Sequence, residues 1–272
     1  MTSNKQTRRL VAALACRSGG TRLYGKPLQR LAPDTTVLDA ILAAMKRQPQ
    51  IDEIVLGVSE GSENLTFLDV AKARGVGFIV GSPKDVLWRL VQCGRAGAAT
   101  DVFRITSECP FTAWEMLPDA WRTHVEGGYD ITVTDWLPEG MNFEIYRLSA
   151  LERSHAEGED AERSEYCSAF ARRRHDLFRI AVLEPPADWR RTDLRLTIDN
   201  PEDLILCRET YRGLAASGPA IPTKRILSWV DGRRDLHALV QPYIDEKPLW
   251  GEVTADRIAW EPRPPATPGP RP

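Results

Sequence analysis

An α/β protein with a predominantly parallel sheet flanked by helices is the fold class the sequence predicts, on three observations. Short apolar runs bounded by turn residues alternate with stretches of helical period through residue 106, a β-α-β-α-β-α-β beat that implies parallel strands and right-handed crossovers. The first run, residues 10–14 (LVAAL), is apolar throughout, as a strand buried on both faces is, although periodicity alone does not separate it from a turn of buried helix. The loop after it is rich in glycine and cations (Arg17, Ser18, Gly19, Gly20, Arg22, Lys26), so that backbone N–H groups and positive charge can converge on a bulky anion.

Taken in order, residues 37–46 place Val37, Leu38, Ile41, Leu42 and Met45 on one helical face, with Asp39 near the start and Lys46 and Arg47 at the end. Pro49 stops that helix. Residues 54–58 read as a second buried strand, 64–74 as an amphipathic helix ended by Gly75, and 76–80 as a third strand. A helix over 84–93 turns Val86, Leu87, Leu90 and Val91 inward, and 101–106 (DVFRIT) is the fourth strand. A helix over 114–125 follows, then strands over 129–134 and 142–148, the latter after a Pro138-Glu139-Gly140 turn. Helices are expected over 149–157 and 161–174. The charge in the second is mixed and lacks an aromatic platform, the pattern of a solvated face rather than of a nucleic-acid surface.

Residues 177–183 form a strand, Pro185-Pro186 a turn, and 194–198 a strand leading into Asp199. Pro201 at the first helical position, with Asn200 or Asp199 as cap and Glu202 and Asp203 in the first turn, starts a helix that runs to about Gly213. Two short helices are expected over 223–230 and 235–243, with Trp250 and Trp260 docking onto the body. Residues 1–261 make one domain, with 215–261 as a helical extension, and the Pro-rich 262–272 has too little apolar surface to offset its ordering entropy and is expected to be a mobile tail.

The 272 residues are enough for a substantial core, and a hydrophobic content of 42% with 27% charged residues is ordinary for a globular protein. A net charge of −2 gives no footprint for nucleic acid, so phosphate binding must be local. Five cysteines without a CxxC pair disfavour both a disulfide framework and a zinc site. The polar, basic start and the short apolar run after it fit neither a signal sequence nor a membrane span, so a cytoplasmic protein with no membrane partner is expected.

Ligands on parallel sheets bind beyond the carboxyl ends of the strands. Residues 15–28 and 107–110 follow the first and fourth strands and therefore share an edge. Gly20 to Lys26 has the spacing of a Walker A loop, but Pro27 stands where the Mg²⁺-binding hydroxyl belongs and no helix follows at once. The run Ala15-Cys16-Arg17-Ser18-Gly19-Gly20-Thr21-Arg22-Leu23-Tyr24-Gly25-Lys26-Pro27-Leu28 instead fits A-x-R-x-x-x-T-R-L-x-G-K-x-L after an apolar strand. It resembles the signature loop of the cytidylyltransferases that make CMP-activated sugars, most of all their CMP-KDO synthetase and spore coat polysaccharide branches.

That resemblance covers residues 10–213 and implies a nucleotide-diphospho-sugar transferase fold of GT-A-like, Rossmannoid form. It implies CTP and a small-molecule acceptor as partners, Mg²⁺ as cofactor, and allows a homodimer. By the same resemblance Ala15, Arg17, Ser18, Gly19, Gly20, Thr21 and Asp85 (in Asp85-Val-Leu-Trp-Arg89, like the family's D-V-L-x-R) bind nucleotide, and Arg22 and Lys26 act in catalysis. Arg104-Ile-Thr-Ser-Glu108-Cys-Pro110 and Asp199-Asn-Pro-Glu-Asp-Leu204 match two metal-binding patterns, R-[IV]-T-G-D-x-P and D-x-P-E-D-L, which assigns the metal to Glu108 and Asp199. The first departs in Ser107 for glycine and in Glu108 for aspartate, one methylene longer than a Mg²⁺ ligand distance of about 2.1 Å accommodates without retraction of the loop or an intervening water. Glu144 and Glu165 fall in segments like the spore coat branch's G-x-D-V-E-V-F and R-E-H-V-T, with Tyr166 in place of histidine, and are candidate acceptor contacts.

The activity expected is CMP transfer from CTP to a sugar-acid, phosphate or phosphonate oxygen with release of pyrophosphate. Use of another NTP, or nucleotide binding without catalysis, are the alternatives.

Overall fold

The computed structural model describes residues 8–244 and 255–262. Eight of its strands form one sheet: β1 (Leu10–Cys16), β4 (Glu53–Ser59), β5 (Gly77–Gly81), β6 (Asp101–Arg104), β7 (Ile131–Thr134), β8 (Glu144–Arg147), β9 (Ile180–Glu184) and β10 (Asp256–Ala259). A separate hairpin joins β2 (Arg30–Ala32) to β3 (Thr35–Thr36). The sheet order is β10-β9-β7-β8-β6-β1-β4-β5, parallel throughout except for β8, which runs antiparallel to both β6 and β7. The described α-helices are α1 (Val37–Met45), α2 (Leu65–Arg74), α3 (Val86–Ala96), α4 (Leu117–Gly127), α5 (Leu148–Glu157), α6 (Ala169–Arg173), α7 (Pro201–Gly213), α8 (Thr223–Asp231) and α9 (Arg234–Val240), with short 3-10 turns between elements.

The alternation of β1 explains why the chain is organised around it. Leu10, Ala12 and Leu14 enter the apolar core on one face of the sheet, Val11 and Ala13 that on the other, and all five are fully buried. Thr36 caps α1 as the expected helix start requires: its hydroxyl accepts from the Asp39 N–H at 3.1 Å, and Asp39 accepts from the Thr36 N–H at 3.0 Å. All five cysteines are buried and unpaired.

Three expectations are corrected. Residues 161–174 are not one helix: a 3-10 turn, Asp160–Arg163, is separated from α6, because the Ser164 hydroxyl and Cys167 thiol donate back to Ala161 and Ser164 carbonyls at 2.8 and 3.4 Å and compete with helical bonding. Residues 194–198 are not a strand of the sheet. Their apolar alternation is real, with Leu194, Leu196 and Ile198 buried, but their backbone bonds to the turn at Glu139 and, through the Ile198 N–H, to the Glu108 carbonyl, and to no strand of the sheet among the described residues. The third correction is at the end of the chain, where residues 215–261 are not helical alone: β10 adds an edge strand beside β9.

Trp260 follows that strand and docks as expected, 6% exposed, 5.2 Å from the ring of Trp189 and with its indole N–H donating to Asp119 at 2.9 Å. Trp260→Ala should cost about 3–5 kcal/mol, read as a lower urea midpoint at unchanged m-value. None of these groups lines the cavity described below, so activity per folded molecule should be retained. Trp250 and residues 263–272 lie outside the described residues. No described helix is long and apolar enough to cross a membrane.

Candidate functional site

The loops after β1 and β6 line one cavity of about 460 Å³. Ala15 near the end of β1 joins Arg17, Gly19 and Lys26 of the loop after it, and Arg104 at the end of β6 joins residues 105–108 of the loop after that strand. Lys84 and Arg89 from the start of α3, and Ser164 and Glu165 from the break before α6, add to the lining.

The loop after β1 is shaped by its own bonds. Ser18 is buried, with its N–H on Asn64 Oδ1 at 2.7 Å and its hydroxyl on the Glu63 carbonyl at 2.8 Å, so it fixes the loop and presents neither group to a ligand. Gly20 is required by close approach, since a Cβ there would sit 2.3 Å from the Leu23 carbonyl oxygen, and Gly25 by its φ of 60°. Gly19 opens onto the cavity, whereas Thr21 is exposed and outside the lining.

Asp199 is brought to the same place. Lys26 Nζ lies 2.5 Å from its Oδ1, Arg22 Nη2 lies 3.9 Å from that oxygen, and Arg195 pairs with Oδ2. The Ile198 N–H donates to the Glu108 carbonyl at 3.1 Å and stitches the two carboxylate loops together. Asn200, not Asp199, is the cap of α7; Asp203 accepts from the Asn200 N–H at 2.8 Å and the Asp199 N–H at 2.9 Å. The Asp199 side chain is thereby released from capping.

Desolvation pushes the Asp199 carboxyl up, but the hydrogen bond and charge of Lys26, with Arg195 and Arg22 behind it, outweigh that and hold it below the usual carboxylate range. Glu108 goes the other way. Desolvation raises it, and the charge of Asp199 adds to this against the pull of Lys26 and Arg104. Two carboxylates that feel each other across a shared cation are a hard-oxygen donor set. Among the described residues no group of three or more His, Cys, Asp and Glu could hold a metal alone. A pair fits Mg²⁺ nonetheless, because that ion commonly takes one or two carboxylates and completes its shell with substrate phosphate and water.

The other candidates divide. Glu165 lines the cavity with its carboxylate 3.8 Å from Arg17. Glu144 does not: antiparallel register sets it opposite Arg104, and it is buried accepting from Arg104 at 2.9 Å and from the Tyr146 hydroxyl at 2.7 Å. Asp85 caps α3 through the Trp88 N–H at 2.8 Å and meets His155 at 2.9 Å beside a second cavity of about 470 Å³ that shares Lys84 with the first.

Sequence reasoning missed Lys84, Arg89 and Arg104 as lining cations. Arg89 is 1% exposed, donates to the Gly57 carbonyl at 2.7 Å, and its Nε has no hydrogen-bond partner among the described residues. Its position in D-V-L-x-R was the signal for it, as the first residue of R-I-T-S-E was for Arg104.

A cation-lined cavity, with Glu108 in its lining and Asp199 held against Lys26, thus lies at the carboxyl edge of a mostly parallel sheet. The chain belongs to the cytidylyltransferase family, whose profile matches residues 11–218. It is 26% identical over 231 residues to the spore coat polysaccharide biosynthesis protein SpsF of Bacillus subtilis, over 82% of this chain and 94% of that one. Its fold is similar to that of a cytidylyltransferase from Leptospira borgpetersenii, with a TM-score of 0.76 at 20% identity, covering 90% of this chain and 100% of that one. A CMP:2-keto-3-deoxy-manno-octonic acid synthetase complexed with CTP gives 0.56 at 13% identity, over 77% and 99%. A Mycobacterium tuberculosis protein in complex with manganese gives 0.51 at 17%, over 75% and 99%.

Proposed function

We propose that this cytidylyltransferase transfers CMP from CTP to a small acceptor carrying an anionic or hydroxyl oxygen, with Mg²⁺ as its divalent ion. The observation that carries the reading is the meeting of Arg17, Lys26 and Glu108 on one cavity with Asp199 held against Lys26. The acceptor oxygen forms a bond to the α-phosphorus, the bond from that phosphorus to the bridging oxygen breaks, and pyrophosphate leaves with the electron pair.

Arg17, Arg22 and Lys26 bind the phosphates and offset charge on the leaving pyrophosphate. Arg89, buried in the lining with an Nε donor that has no partner among the described residues, is the group this reading assigns to the nucleobase, the part of CTP that the family's D-V-L-x-R segment lies near. Glu108 and Asp199 would hold Mg²⁺, which supplies charge neutralisation at the transferring phosphoryl group. No histidine lines the cavity, which suits an acceptor oxygen already ionised, so that catalysis is positioning plus electrostatics. Glu165 is the direct acceptor contact, while Glu144 acts through Arg104 by fixing its guanidinium over the cavity. Sugar acids, sugar or polyol phosphates and small phosphonates are the acceptor classes that meet these demands.

Calorimetric titration with CTP, UTP, ATP and GTP, each with and without Mg²⁺, tests the nucleotide assignment. CTP should bind tightest, and tighter with Mg²⁺. Equal affinity for all four would remove the cytidine assignment. Glu108→Gln should lower turnover at least about tenfold and raise the Mg²⁺ concentration needed for half-maximal rate. Unchanged Mg²⁺ dependence would take this side chain out of the metal site and leave Asp199 and water.

A further inference from the structure

We propose that Lys26 is an exchangeable counter-ion of Asp199, standing where a divalent cation binds, so that the chain takes its metal with or after the nucleotide and not before it. This rests on the functional reading above. Its basis is the inequality of the two Asp199 oxygens.

Oδ2 belongs to a fixed partner. Arg195 is 6% exposed and spends its planar fork on three acids at once: Asp199, Asp203 through Nε at 3.1 Å, and Glu139. Freeing it would strand buried charge, so it stays and positions the carboxylate. Oδ1 belongs to a movable one. Lys26 is a point charge on a flexible four-carbon stem, lies 2.5 Å away, and also lines the cavity that Arg17 and Lys84 line. Its ammonium can therefore leave Asp199 for a phosphate without leaving the site.

Charge sets the order. In the nucleotide-free chain a divalent ion approaching Oδ1 meets Lys26 in contact and Arg22 at 3.9 Å, while the Arg195 charge behind is already offset by Asp203 and Glu139, and Glu108 and Asp199 attract it. A triphosphate brings about four negative charges to the same cations. Lys26 then has a better partner, Oδ1 is vacated, and phosphate oxygens join the two carboxylates as ligands for the ion.

The test uses Mn²⁺ as probe, with free Mn²⁺ read by electron paramagnetic resonance on the full chain without nucleotide. The unaltered protein should bind Mn²⁺ weakly. Lys26→Gln should bind it about tenfold or more tighter, while metal-free CTP affinity, measured by calorimetry, falls. Adding Asp199→Asn to Lys26→Gln should abolish the gain. Lys84→Gln removes a cation from the same cavity that is not among the described ion-pair partners of Asp199, and should leave Mn²⁺ affinity within about twofold. Lys26→Met, which keeps the apolar stem, replaces Lys26→Gln if thermal melts show that variant to be unfolded. Mn²⁺ affinity unchanged or weakened by loss of Lys26, or an equal gain in Lys84→Gln, overturns the exchange. Absence of CTP binding by the unaltered protein would instead sink the functional reading, and the Mn²⁺ comparison would stand apart from it.

Discussion

Asp199→Asn should lower CTP-dependent turnover by about two to three orders of magnitude, the largest effect expected of any single substitution in this chain. Asparagine keeps the size and one oxygen but removes the charge that Lys26 and Arg195 now share. The backbone is not at stake. The Asp199 N–H bonds to Asp203 whatever the side chain is, Asn200 remains the cap of α7, and Arg195 keeps Asp203 and Glu139. The loss should fall on kcat and on the divalent-ion dependence, with KM for CTP moving less, because the charge matters most as the phosphoryl group transfers. A melting temperature close to that of the unaltered protein is the control. Turnover within a few-fold of wild type would exclude Asp199 from the metal site.

Lys26→Ala should be nearly as costly to kcat/KM, about two orders of magnitude, but divided differently. The ammonium contributes to ground-state binding of the triphosphate as well as to charge dispersal on pyrophosphate, so KM for CTP should rise and kcat fall together. Arg22→Ala should follow in the same direction with a smaller effect, since its side chain is 59% exposed and farther from Asp199. Neither change should unfold the protein, as partly exposed loop ion pairs contribute little to stability. Wild-type kinetics in both would remove the argument that this loop grips phosphate.

The site was legible where chemistry and chain order coincide. A buried strand must surface at its end, so the Ser-Gly-Gly loop with its cations could be placed at the carboxyl edge from the sequence, and the Pro201 helix start put Asp199 at another element boundary. What could not be read is what side chains do across the sheet. Glu144 stands in a segment like one that contacts acceptor, yet the register of β8 against β6, invisible in sequence, sets it opposite Arg104 and buries it. Ser18 belongs to the loop pattern, but its partners, Asn64 and Glu63, are on a different crossover.

The misplaced strands have the same origin. Residues 194–198 alternate because one side packs on the core, and alternation reports burial rather than a ladder partner. β10 has a single strongly apolar residue, Ile258, and exists because β9, far away in sequence, offers an edge.

The most direct test of the account is CTP-dependent pyrophosphate release by the unaltered protein with Mg²⁺ over a panel of 2-keto-3-deoxy sugar acids, sugar and polyol phosphates and small phosphonates, run beside Asp199→Asn. The account predicts release with at least one of these classes, dependent on CTP, abolished by chelation of the divalent ion and nearly absent in the variant. CTP bound by calorimetry but no pyrophosphate above the Asp199→Asn background with any acceptor would contradict it, and would make the protein a nucleotide-binding homologue without transfer activity.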